Sequence, residues 1–134
     1  SGNRMEAMAR YIFIMQKEMQ RVSPDFIRDL NRHQRLNENY EENRALMQAE
    51  LERTFARGVE EGVFRADVNY TVMLHLLELQ MQSLSCMQEL FPPEITVAQA
   101  YQSISIGFLR SIASPSGMLL LDRLMRDAGI SLTS

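Results

Sequence analysis

The chain has 134 residues, enough for one domain with a core that needs no disulfide or metal staple. Its 14 basic and 17 acidic side chains leave a net charge of −3, and the arginines are scattered among glutamates, which argues against the basic stripe of a free-standing nucleic-acid module. Few aromatics, 10 methionines and only 4 prolines favour helices over strands, and no alternating strand pattern occurs anywhere.

Ser1-Gly2, with no initiator methionine, suggests a cloning or cleavage remnant. Residues 1–3 are therefore expected to be a remnant or a disordered start, and residues 4–134 a single all-α domain of about six helices. The first helix is predicted over 4–22, with Met5, Met8, Ile12, Met15, Met19 and Val22 on one stripe and Glu6 paired with Arg10 outside. Ser23-Pro24 stops it and starts a second, short helix over 24–35: serine can cap, and proline suits the first helical position. Asn39 with Glu42 opens a third, running to about Glu61, with Tyr40, Met47, Leu51, Thr54, Phe55 and Val59 on one face.

Gly62 suits a left-handed helix exit because it lacks a Cβ. Val63 and Phe64 should plug the end of the bundle, and Asn69 or Asp67 should cap a fourth helix over 70–91. That helix is apolar nearly all round, so it must be covered on more than one side. Cys86 lies in this run and is expected to be a small buried thiol. Its lack of a partner excludes a disulfide framework within the chain and fits a cytoplasmic location. Pro92-Pro93 ends the helix. Thr96 and Gln99 form a capping-box pattern for a fifth over 97–113, and Ser114-Pro115 starts a sixth that Gly129 ends near Ala128. The last few residues should fray. No apolar run approaches the ~20 residues of a membrane span.

The segment from Phe55 through Gly58, Gly62, Phe64-Arg65-Ala66-Asp67 to Asn69 carries the most information. With Phe26-Ile27-Arg28-Asp29-Leu30 before it and Phe108 to Gly117 after it, it resembles in order and spacing the C-terminal half of the tetracycline-repressor (TetR/AcrR) family of bacterial transcription regulators. The likeness covers roughly residues 4–117. The family's helix-turn-helix head should precede the first helix, and no such segment occurs here. The resemblance therefore implies a C-terminal piece of a longer regulator. It would sense an effector and dimerise, and it would meet DNA only through the missing N-terminal domain.

The fifth helix carries two stripes. Val97, Tyr101, Ile104, Phe108 and Ile112 are bulky, whereas Ala100, Ser103, Gly107, Ser111 and Ser114 are small and admit a close backbone. Together with the over-apolar fourth helix, this predicts a homodimer through a four-helix seam, as the resemblance also implies. The candidate seam residues are Leu76, Ser83, Leu84, Met87, Ala100, Ser103, Gly107, Arg110 and Ser111. The alternative is that the small stripe packs within the same chain. A small apolar effector is expected between the first, third and fourth helices, where methionines adapt to varied shapes. The candidate lining is Met8, Tyr11, Ile12, Met15, Met19, Met47, Leu51, Met73, Leu77 and Gln80, with His75 nearby and His33 solvated at a helix end.

No catalytic role, metal or cofactor is expected. Neither histidine has a glutamate three positions earlier, so the paired Glu-x-x-His of a di-iron bundle is missing, as is His-Glu-x-x-His. The six glycines form no phosphate-cradling loop. His75 and Cys86, about three turns apart on one predicted helix, cannot meet as a dyad. The rival reading is a helical interaction module that holds no small molecule.

Overall fold

The computed structural model describes residues 2–131. In chain order these form α1 (Arg4–Met19), α2 (Pro24–Arg35), α3 (Tyr40–Glu60), α4 (Tyr70–Gln82), a 3-10 turn (Ser83–Cys86), α5 (Met87–Leu90), α6 (Val97–Ile112) and α7 (Pro115–Asp127). The chain is thus an all-helical bundle, and among the described residues the extended backbone pairs only in one isolated bridge, Phe64 with Ala113. Ser1 and residues 132–134, on which the remnant start and the frayed end partly fall, lie outside the described residues.

Local chemistry sets most boundaries. Ser23 Oγ accepts the Phe26 amide at 3.1 Å, Asn69 Oδ1 that of Val72 at 3.1 Å, and Ser114 Oγ that of Gly117 at 3.0 Å. Thr96 and Gln99 exchange both capping-box bonds, at 3.1 and 3.0 Å. Each cap satisfies an otherwise orphaned helix donor and is worth about 1 kcal/mol. Asn3 adds one at α1, its Oδ1 accepting the Glu6 amide at 3.0 Å, and Glu6 pairs with Arg10 at 3.3 Å. At α3 the expected Asn39 cap is absent; Asn37 Oδ1 instead accepts the Asn39 amide at 2.8 Å. Gly62 and Gly129 end α3 and α7 at φ values of +79° and +69°, where a Cβ would be strained.

The central element is α6. It buries Val97, Ala98, Ala100, Tyr101, Ser105, Ile106, Phe108, Leu109 and Ile112. Against it lie α1, through Met5, Ala9 and Ile12, and α4, through Leu74. α7 packs on α1 and buries Leu121 and Met125. Phe55 of α3 is fully buried at the hub of a ring cluster. It stacks on Tyr70 (5.2 Å between centroids) and meets Phe108 and Phe64 at 5.5 and 5.7 Å.

The fourth helix departs from the expected 70–91 span. Ser83 Oγ donates to the Gln80 carbonyl at 2.5 Å, and Ser85 Oγ to that of Gln82 at 2.6 Å. Serine hydroxyls that bond carbonyls three residues back compete with the α-helical ladder, and here the backbone tightens to 3-10 pitch. The altered phase leaves Cys86 exposed, which corrects the expectation of a buried thiol. α4 itself is covered only in part: Leu74 is buried and Met73 and Leu77 half-buried, but Val72, Leu76 and Leu79 are 50, 50 and 62% exposed.

Candidate functional site

The segment that carries the family likeness forms a structural knot. The α3 exit folds back, so that the Val63 and Phe64 amides both donate to the Gly58 carbonyl, at 3.0 and 3.1 Å. The Arg65 amide then donates to the Ile112 carbonyl at 2.7 Å, and the Ser114 amide to the Val63 carbonyl at 3.0 Å. Ser114 and Ser116 hydroxyls both donate to the Gly62 carbonyl. Two glycines allow this approach: a Cβ at Gly58 would overlap the Phe64 ring, and one at Gly117 would overlap the Val63 carbonyl oxygen. The Arg65 side chain forks onto Asp67 at 2.9 and 2.7 Å, and these hydrogen bonds hold the Asp67 carboxyl below its ordinary pKa. Tyr70 Oη donates to the Arg65 carbonyl at 2.6 Å. Gly58, Gly62, Val63, Phe64, Arg65 and Asp67 are thus all engaged where the α3–α4 and α6–α7 corners meet.

The candidate seam and pocket residues separate into three environments. Ile12, Leu84, Met87 and Ala100 are buried in the chain's own core, and Met8, Met15, Met19 and Leu51 pack half-buried against it. These cannot present themselves to a partner without opening the bundle. Tyr11 and Met47 stand 62 and 67% exposed, and His75 and His33 are exposed as well. Ser83 is occupied in the 3-10 turn, and Arg110 pairs with Asp122 at 3.0 Å between α6 and α7.

The remaining candidates come together. Met73, Leu77 and Gln80 from the pocket set and Leu76, Ser103, Gly107 and Ser111 from the seam set line one groove of about 260 Å³ between α4 and α6, floored by Ile104 and Phe108. Helical phase could not join the two sets, because which sides of α4 and α6 face each other is a tertiary fact. Among the described residues, nothing outside its own stretch of helix lies within 4 Å of a Cβ built on Gly107. The small stripe is therefore not explained at Gly107 by packing within the chain. The groove holds hydrocarbon, hydroxyls and one amide and no titratable side chain, so its chemistry is contact rather than proton transfer.

Among the described residues no cluster of three or more His, Cys, Asp or Glu stands ready for a metal, and no helix is long and apolar enough to cross a membrane. Sequence reasoning missed a second groove beside α2, where Arg28, Arg32 and Arg35 face the 3-10 turn; their seven-residue spacing was its available signal. No family model matches the chain, and no curated protein or solved structure matches it either.

Proposed function

We propose that this chain is the effector-sensing and dimerisation part of a TetR-like transcriptional regulator, with α4 and α6 of two copies forming a four-helix seam. The observation that carries the reading is Gly107. A glycine inside a helix costs about 0.5–1 kcal/mol relative to alanine, and here open space lies above it while Ser103 and Ser111 flank it and Leu76 stands half-exposed across the groove. A twofold axis would let Leu76 of each copy fill the hollow over Gly107 of the other, an isologous knob-and-hole. It would also cover Val72 and Leu79, which the chain leaves bare.

The sensing half of the proposal rests on the methionines. Met8, Met15, Met19 and Met73 are half-buried against the core, and such side chains repack around an apolar guest at low cost. α1 touches α3, α6 and α7, so a guest that spreads α3 from α4 would tilt α1. In a full-length dimer, α1 would set the separation of two DNA-binding heads that must reach major grooves about 34 Å apart. The effector acts only through its different affinity for the two tilts.

Sedimentation at micromolar concentration tests the seam. The wild type is expected to sediment as a dimer and Gly107→Leu to shift toward monomer with unchanged helix content. A monomeric wild type sinks the seam. A second reading, an interaction module without a small-molecule ligand, is favoured by the complete burial of Met5 and Ala9, which fills the space beneath α1. Thermal shift against apolar compounds separates the two, since only the sensor gives saturable stabilisation.

A further inference from the structure

α2 buries none of its residues and packs on the 3-10 turn. Arg28, Arg32 and Arg35 follow at four- and three-residue steps and so share one face of it. That face forms one wall of an open groove of about 480 Å³, whose other wall carries Gln82, Ser85 and Cys86. Arg28 is tethered there, donating to Gln88 Oε1 at 2.5 Å and pairing with Asp25 and Glu89 at 3.6 and 4.0 Å. Arg32 and Arg35 form no ion pair among the described residues. Arg35 instead lies over the Tyr40 ring, 5.9 Å from its centroid. Arg28 is thus offset by Asp25 and Glu89, while the groove keeps the Arg32 and Arg35 guanidinium groups without a carboxylate partner among the described residues, in a chain whose net charge is −3. Beside them runs an apolar strip, with Leu36 80% exposed and Cys86 exposed.

The dipole of α2 favours cations in its last turn, which accounts for Arg32 and Arg35 being basic. It gives no reason for Arg28, in the second turn, to share their face, or for Leu36 to be left bare next to them. We propose that this groove binds a small organic oxyanion, with its charged head held by Arg32 and Arg35 and a short apolar tail laid along Leu36 and Cys86. A guanidinium fork donates to two oxygens of a carboxylate or of a phosphate monoester with equal geometry, so the shared chemistry is an oxyanion on an apolar stem. The groove shares no residue with the α4–α6 groove. As a class of effector the oxyanion rests on the sensor reading; as a bound ligand it does not.

Titration calorimetry on the full chain with octanoate and with octyl phosphate tests the site, with octanol and inorganic phosphate as probes carrying only one of the two features. Alkylation of Cys86 by iodoacetamide reports occupancy locally. At least one octyl anion is expected to saturate and to slow Cys86 alkylation several-fold. The double variant Arg32→Gln/Arg35→Gln should weaken that binding about tenfold or more with its helical circular dichroism unchanged. Arg53→Gln, which removes a cation paired with Glu50 on α3, should bind as wild type. Saturation by octanoate alone assigns a carboxylate head, and by octyl phosphate alone a phosphate head. The proposal is overturned if neither anion saturates, if binding survives the double variant, or if octanol protects Cys86 equally well. Sedimentation of the same samples reports the seam separately.

Discussion

Gly117→Ala puts the corner at Val63 to the sharpest test. Gly117 sits in the first turn of α7, and its missing Cβ leaves room for the Val63 carbonyl oxygen. That oxygen is backbone. It accepts the Ser114 amide at 3.0 Å, while the Val63 amide is held by Gly58 at 3.0 Å, so neither side of the contact can swing away. Adding the methyl must push α7 off the Val63–Arg65 segment. Overpacking of this kind costs about 1–3 kcal/mol. The Ser114–Val63 and Arg65–Ile112 bonds stretch with it, at about 1 kcal/mol each. Against this, alanine is a better helix residue than glycine by about 1 kcal/mol. The balance is a loss of about 2–4 kcal/mol, a large share of a stability that is about 5–15 kcal/mol for a domain. Urea unfolding followed by helical circular dichroism reads it directly. Gly107→Ala is the control: with nothing within 4 Å of its Cβ, only the propensity gain of about 0.5–1 kcal/mol remains in the monomer. At concentrations low enough for the chain to be monomeric, the two glycine-to-alanine changes should therefore move the midpoint in opposite directions. A Gly117→Ala midpoint at or above wild type would refute the close approach.

Phe55→Ala removes the hub of the ring cluster and should cost about 3–5 kcal/mol, seen as a lower urea midpoint with an unchanged slope. Gly62→Val forces a β-branched residue to the left-handed conformation at φ +79° and should destabilise by about 1–3 kcal/mol, whereas Gly62→Asn should recover much of it. Burial, with Tyr11 adding to it, pushes the Tyr101 phenol well above the ordinary tyrosine range. Its folded value lies above an unfolded value of about 10, so its contribution is complete below pH ~10 and is lost as pH rises toward the folded value. Tyr101→Phe should accordingly flatten the fall in stability between pH 9 and pH 11, measured by midpoints at both.

Helix ends were legible because their causes are local. Ser23, Asn69, Thr96 and Ser114 each act on an amide three residues ahead, within reach of a reader with only the sequence. The break in α4 was partly legible. Ser83 and Ser85 stood in an apolar run, but whether a serine bonds back to the helix or faces outward depends on its surroundings. Cys86 was misplaced for that reason, since its exposure follows from the 3-10 phase. The candidate site was less legible still. Helical phase put Leu76 and Gly107 on faces of their own helices, but it could not say that those faces adjoin. The apolar excess of α4 was legible too, since Val72, Leu76 and Leu79 stay exposed, but composition alone does not say what covers them.

The residues that join the helices at the corner and the residues that would perform the proposed function are different ones. Gly58, Gly62, Phe64, Arg65, Asp67 and Gly117 hold a corner together through backbone contacts and rings, and none of them lines the α4–α6 groove. A sequence likeness built on such a corner reports how the helices are joined, because substituting any of these glycines meets a clash or a strained φ. It says little about a bound molecule, whose contacts would come from residues lining the two grooves, such as Met73, Leu76, Gln80 or Arg32, where many side chains would fit. The two kinds of residue should therefore separate under mutation. Changes at the corner should lower stability without altering the oligomer that remains folded, and Gly107→Leu should dissociate the oligomer without lowering the stability of its monomer. If Gly58→Ala and Gly107→Leu instead shifted both properties together, the corner and the seam would be one cooperative unit, and the seam could not be treated as a surface laid over a finished fold.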